Sequence, residues 1–147
     1  MVEVSLRIAA PADQVFAVLA DGWSYASWVV GAAHIREVDG DWPAPGSRMH
    51  HSIGPWPLQV KDTTRVRAVE DRRALELDAG LWPLGQAHIR FELSESGGAT
   101  TVRMSEEVSK GPLSLLPAPV QAVMLAPRNR ESLHRLADLA VRREAKQ

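Results

Sequence analysis

The sequence predicts an α+β fold in which a curved, seven-stranded antiparallel sheet wraps around a long C-terminal helix, with two short helices after strand 1. Three observations predict it. Between Pro127 and Arg143, residues Asn129, Leu133, Leu136, Ala137 and Ala140 recur at helical spacing, while Arg128, Arg130, Glu131, Arg135, Asp138 and Arg142 fall mostly on the other side. Upstream, about seven segments alternate apolar and polar residues with the period of a half-buried strand. All but the first of these segments follow one another with only turn-rich breaks between them, as hairpin-linked neighbours in one sheet do.

The first strand is Val2, Val4, Leu6 and Ile8 alternating with Glu3, Ser5 and Arg7. Ala10-Pro11-Ala12-Asp13 breaks it and starts a helix, since Pro11 removes an amide donor that a first turn leaves unpaired anyway. Val15, Phe16 and Leu19 form the buried face, and Asp21-Gly22 ends it. A second short helical stretch, Trp23 to Val30, places Trp23 near Trp28. The meander then runs through strands at Ala33–Val38, Ser47–Ile53, Leu58–Val69, Ala74–Ala79, Gly85–Leu93 and Thr100–Ser109. Its turns carry Gly and Pro: Asp39 to Gly46, Gly54-Pro55-Trp56-Pro57, Gly80-Leu81-Trp82-Pro83 and the hairpin Glu95-Ser96-Gly97-Gly98. A Pro- and Leu-rich connector and a short helical segment, Val120 to Leu125, lead to Pro127, which begins or kinks the final helix. Glu131/Arg135 and Asp138/Arg142 are i,i+4 pairs with the acid first, the favoured order.

The 147 residues suit one domain, 1–147, with a sizeable core. A formal net charge of -1 removes any general electrostatic attraction to nucleic acid. With no cysteine there are no disulfides and no thiolate metal sites. The start lacks the basic and apolar regions of a signal peptide, and no apolar run approaches the roughly 18 residues of a membrane span. A soluble, cytoplasmic chain without integral membrane association is expected.

The order of these segments resembles the START-like (SRPBCC) superfamily of polyketide cyclases/dehydrases and lipid-transport proteins, known for the helix-grip fold. The residues that carry the resemblance are the opening strand with Ala10-Pro11-Ala12-Asp13-Gln14-Val15-Phe16, and the stretch from Trp23 to Trp28-Val29-Val30-Gly31. Pro45-Gly46-Ser47, Gly98-Ala99-Thr100-Thr101-Val102 and Arg128 to Leu136 add to it. The resemblance covers nearly the whole chain and implies a cavity between sheet and helix. It does not choose between carrier and enzyme, because the superfamily contains both.

Alternate turns of a meander lie at one end of the sheet. The Trp56 turn, the Trp82 turn and the connector Leu113-Ser114-Leu115-Leu116 therefore come together as an apolar rim, either a gate for a hydrophobic ligand or a plug on the core. Extending the strand alternation puts polar residues on the inner face. Asp62 and Thr64 share the phase of Leu58, Val60, Val66 and Ala68; Glu106 that of Val102, Met104 and Val108; His51 that of Met49 and Ile53. A β-bulge reverses any such facing. A carboxylate in an apolar cavity is held toward its neutral form, which suits proton transfer, and histidine titrates near neutrality. Asp62, Glu106 and His51 are thus the catalytic candidates, for chemistry such as aldol cyclisation or dehydration; a role as inert polar residues near strand ends is the simpler alternative. Asn129 either caps the start of the final helix or projects into the cavity beside Leu133.

The expected ligand-contacting set is Trp23, Trp28, Met49, His51, Trp56, Thr64, Trp82, Phe91, Met104, Glu106, Leu116, Asn129, Leu133 and Leu136. No cofactor is expected. No metal is expected either: His50 and His51 are strand neighbours that point to opposite faces, and the other histidines are isolated. The leading expectation is a protein that binds a small or medium hydrophobic molecule (a lipid, polyketide or aromatic compound). The alternatives are a cyclase/dehydrase-type enzyme and a protein-interaction module with a vestigial cavity. Weak homodimerisation is the one self-association considered. The final helix would then be a lid hinged at Pro127, its small residues Ala137 and Ala140 leaving room beneath it.

Overall fold

The computed structural model describes residues 2–30, 32–53, 60–80 and 85–145. Strand β1 (Val2–Ile8) leads into helix α1 (Ala12–Leu19), a single 3-10 turn (Gly22–Ser24) and helix α2 (Tyr25–Trp28). Strands β2 (Ala32–Val38), β3 (Arg48–Ile53), β4 (Val60–Glu70), β5 (Ala74–Gly80), β6 (Gln86–Ser96) and β7 (Ala99–Lys110) follow. A 3-10 segment (Pro112–Leu115) then joins helix α3 (Ala118–Ala145). The seven strands form one sheet in the order β1-β7-β6-β5-β4-β3-β2, every neighbour antiparallel. The meander is therefore as the sequence predicts, and β1 closes it by pairing with the last strand.

Alternation fixes which side faces inward. Val2, Val4 and Ile8 are buried while Glu3, Ser5 and Arg7 are exposed; Val102, Met104, Glu106 and Val108 are buried on β7. The register carries this phase across the sheet, with Val2 opposite Glu106, Glu106 opposite Ile89, Ile89 opposite Leu77 and Leu77 opposite Val66. The outer face is polar and paired across strands. Arg90 contacts both Glu76 and Glu92, and Arg67 lies 3.7 Å from Asp78, which also meets His88. These pairs hold register and account for the mixed charges of this face.

α3 covers the inner face. Leu133, Leu136 and Ala140 are fully buried in one cluster with Val15, Leu19, Trp28, Phe91 and Met104. Trp28 packs edge-on against Phe91 at 5.8 Å, and Tyr25 packs against both Trp28 and Trp42. The Tyr25 hydroxyl donates to the Leu19 carbonyl at 2.8 Å, and burial holds the phenol far above its ordinary pKa. Glu131 and Arg135 form the expected i,i+4 pair at 3.1 Å.

Three expectations change. The short helical segment before Pro127 and the helix after it are one helix, with Pro127 inside; burial of Leu125 against Val2 and Val108 anchors the earlier turns despite the missing amide. Ala68 is exposed, not inward, because the β4–β5 register slips between Val66 and Ala68, so Val69 packs on the core in its place. The β6–β7 loop is only Gly97-Gly98, both at positive φ (64° and 79°), which is the two-residue geometry that matches strand twist. Glu95 and Ser96 belong to the ladder.

Candidate functional site

The polar residues of the inner face fall into two groups. The first sits where β3 meets β4. His51 lies opposite Asp62, Met49 opposite Thr64, and the His51 Nε2 is 2.9 Å from the Thr64 hydroxyl. His51 and Thr64 are buried. Asp62 is half-buried; its carboxylate occupies the space beside Gly80 where a side chain would otherwise stand, since a Cβ there would lie 2.2 Å from Asp62 Oδ1. Burial pushes the His51 imidazole below its ordinary pKa, and the nearby Asp62 carboxylate offsets part of that shift.

The second group joins β7 to α3. Glu106 is fully buried, flanked on the sheet by Val2 and Ile89. Asn129 Nδ2 donates to Glu106 Oε1 at 2.8 Å, and Arg128 reaches the same oxygen at 3.4 Å. Among the described residues Glu106 Oε2 has no hydrogen-bond partner. Arg128 Nε also donates to the Val30 carbonyl at 2.9 Å, and the Val30 amide donates to Ser132 Oγ at 3.0 Å. One turn of α3 thus grips both β7 and the segment after α2. Leaving a carboxylate oxygen unpaired in the interior is costly, by about 1–3 kcal/mol.

The candidates therefore do not form a single set. His51, Thr64 and Asp62 are neighbours; Glu106 lies on β7, with β4, β5 and β6 between it and β3. Asn129 is mid-helix and bonds Glu106, so it is not a cap. Met49, Trp28, Phe91, Met104, Leu133 and Leu136 lie in the interior between sheet and helix. Trp23 does not: it sits on the 3-10 turn and is 57 % exposed, whereas Trp28 is fully buried. Leu116 is half-buried beyond the 3-10 segment, and its neighbour Leu115 is 85 % exposed. Trp56 and Trp82, and with them most of the expected rim, lie outside the described residues. An open groove of about 570 Å³ lies at the other end of the sheet, lined by Pro11, Asp13, Arg72, Arg73, Leu93 and Glu95 among others. None of its lining residues belongs to the expected set. Among the described residues no group of histidines and carboxylates is placed to hold a metal ion, and no helix is long and apolar enough to cross a membrane.

Arg128 and Ser132 are the site residues that sequence reasoning missed. Periodicity put Arg128 on the solvent side of the helix. Its long side chain instead runs back along the helix surface to Val30 and Glu106, leaving it 28 % exposed.

The sequence matches the family described as polyketide cyclase / dehydrase and lipid transport over residues 1–141, and the chain belongs to that family. Its fold is shared by the di-domain aromatase/cyclase StfQ of the steffimycin biosynthetic pathway, at 18% identity and TM-score 0.73 over 99% of this chain and 46% of StfQ. Ara h 8.0201 matches at 12% identity and TM-score 0.72, covering 95% of each chain. The Zhui aromatase/cyclase from Streptomyces sp. R1128 matches at 16% identity and TM-score 0.68 over 97% of this chain and 93% of Zhui. A search of curated proteins returns no significant match.

Proposed function

We propose that the chain binds a small or medium hydrophobic molecule, a lipid, polyketide or aromatic compound, between the sheet and α3. The observation that carries this reading is the inner face itself. A surface that serves only as a core excludes unpaired charge, yet this one keeps Glu106 fully buried, with one oxygen unpaired among the described residues, amid apolar and aromatic side chains. Apolar walls with a few placed polar groups are the usual make-up of a small-molecule site. Membership of a family that includes lipid transport supports the same reading.

A cyclase/dehydrase activity is the second reading, favoured by the buried His51 beside Thr64 and Asp62. Against it, His51 and Glu106 are separated by three intervening strands, so acid and base do not converge from neighbouring positions. Native mass spectrometry of freshly purified protein tests the binding reading. A co-purifying mass released on denaturation is the expected result. Protein that carries no added mass and takes up none from a panel of fatty acids and polycyclic aromatics contradicts it. Turnover of a poly-β-ketone mimic that is lost in His51→Gln would favour the enzyme instead.

A further inference from the structure

We propose that the 3-10 segment and the first turns of α3 form a face that docks on the surface of an anionic lipid bilayer. From Gly111 to Pro127 the chain carries no charged residue, and Ser114 and Gln121 are its only polar side chains. One side of this stretch is packed: Leu125 is buried against Val2 and Val108, with Ala122 and Ala126 on the same cluster. The other side is open. Six large apolar side chains are exposed among the described residues, and four of them, Leu115, Val120, Val123 and Met124, lie here. Val120, Val123 and Met124 stand at i, i+3 and i+4 and so share one helix face, with the exposed Pro127 a turn further on. A single exposed apolar residue needs no explanation, but a concentration of them marks a surface that meets something apolar.

The chemistry of the face selects its occupant. Ser114 Oγ donates to the Gly111 carbonyl, and Gln121 Nε2 donates to the Leu116 carbonyl at 2.9 Å. Both polar side chains thus serve their own backbone, whereas the rim of a specific protein interface uses hydrogen bonds to fix register. A lipid surface asks for no register. No acid occurs between Glu107 and Glu131, while Lys110, Arg128 and Arg130 do. Arg128 is engaged by Glu106 and Val30, but Lys110 and Arg130 are exposed at either end of the stretch. Two copies meeting through this face would set these bases against one another, which disfavours self-association. Anionic headgroups complement them instead. The apolar side chains then enter the boundary between headgroups and acyl chains, as in other surface-lying amphipathic segments. Docking is at the surface, since among the described residues no helix is long and apolar enough to cross the bilayer.

The test is cosedimentation of the intact protein with vesicles of phosphatidylcholine alone, or of phosphatidylcholine and phosphatidylglycerol in equal parts. The expected result is binding to the mixed vesicles, about tenfold stronger than to phosphatidylcholine and weakened by added salt. Leu115→Asp and Val123→Asp each put a charge on the apolar face and should lower the partition coefficient about tenfold. Replacing Lys110 and Arg130 together by Gln should bring binding to the mixed vesicles down to that on phosphatidylcholine. All four side chains are exposed, so the unfolding midpoint should hold. Should a variant fold poorly, amide hydrogen exchange of the wild type decides: the amides of residues 115–124 should slow on mixed vesicles. No binding to the mixed vesicles, full binding by both aspartate variants, or unslowed exchange overturns the lipid face. Equal binding to the two kinds of vesicle overturns the electrostatic part of it. A dimer in sedimentation velocity that Val123→Asp dissociates, with no vesicle bound, overturns it in favour of a second copy. None of the substituted side chains is buried, so the reading of the interior is tested separately.

Discussion

Glu106 and Asn129 show how a single buried hydrogen bond can hold an interior charge that has little other support. Replacing Asn129 by Leu strips Glu106 Oε1 of its short donor and leaves only the 3.4 Å contact with Arg128. The expected cost is about 2–4 kcal/mol in urea unfolding. Pairing it with Glu106→Leu should recover much of that loss, because two apolar side chains leave no stranded charge. A double variant no better than the single one would mean that Asn129 stabilises by packing, not by its amide. His51 belongs to the same scale. Burial lowers its pKa below the ordinary 6.5, so the unfolded chain binds a proton more readily than the folded one. Its contribution is therefore fully present above about pH 6.5 and is lost as pH falls through that value toward the lower folded pKa. The unfolding midpoint should decline between pH 7 and 5, and His51→Gln should flatten the decline. An equal slope in both proteins would assign the pH effect to other groups.

At the scale of elements, α3 is the piece whose character changed most. Reading Pro127 as the start of the helix follows from its missing amide, but the helix runs through it from Ala118 to Ala145. Its turns before Pro127 bury Leu125 against Val2 and Val108, while Val123 is 76 % and Met124 51 % exposed. Its turns after Pro127 carry the core contacts and the Glu106 group. Pro127→Ala restores the backbone donor and should raise the unfolding free energy by about 1–3 kcal/mol, less what proline saves in the unfolded chain. No gain in chemical denaturation would show that the helix has already adjusted to the proline. The strands were more legible than the helix. Alternation on β1, β5, β6 and β7 gave the inward residues directly, since each strand has one wet and one covered face. It failed on β4 at Ala68, where a one-residue slip against β5 reverses the facing and no local residue type announces it.

At the scale of the whole molecule, the proposed ligand between sheet and helix would bind only the folded state, because the core that faces it is assembled from β1, β6, β7, α2 and α3 together. Whichever fatty acid or polycyclic aromatic proves to bind should therefore, at about a hundred times its dissociation constant, add roughly 2.7 kcal/mol to the unfolding free energy. An unchanged thermal midpoint at that concentration would argue against an interior site. The amino-acid sequence by itself determined the meander, the covering helix and the family, because these depend on period, turn chemistry and order along the chain. It also put His51, Asp62, Thr64 and Glu106 in the inward phase of their strands, while leaving Asn129 open between a cap and an inward residue. Only the tertiary structure decided how those side chains group. It set His51 with Asp62 and Thr64, and it brought Asn129 and Arg128 from α3 onto Glu106 of β7. Contacts between residues far apart in the chain depend on where the closed sheet puts the helix, and periodicity within either element carries no record of that distance.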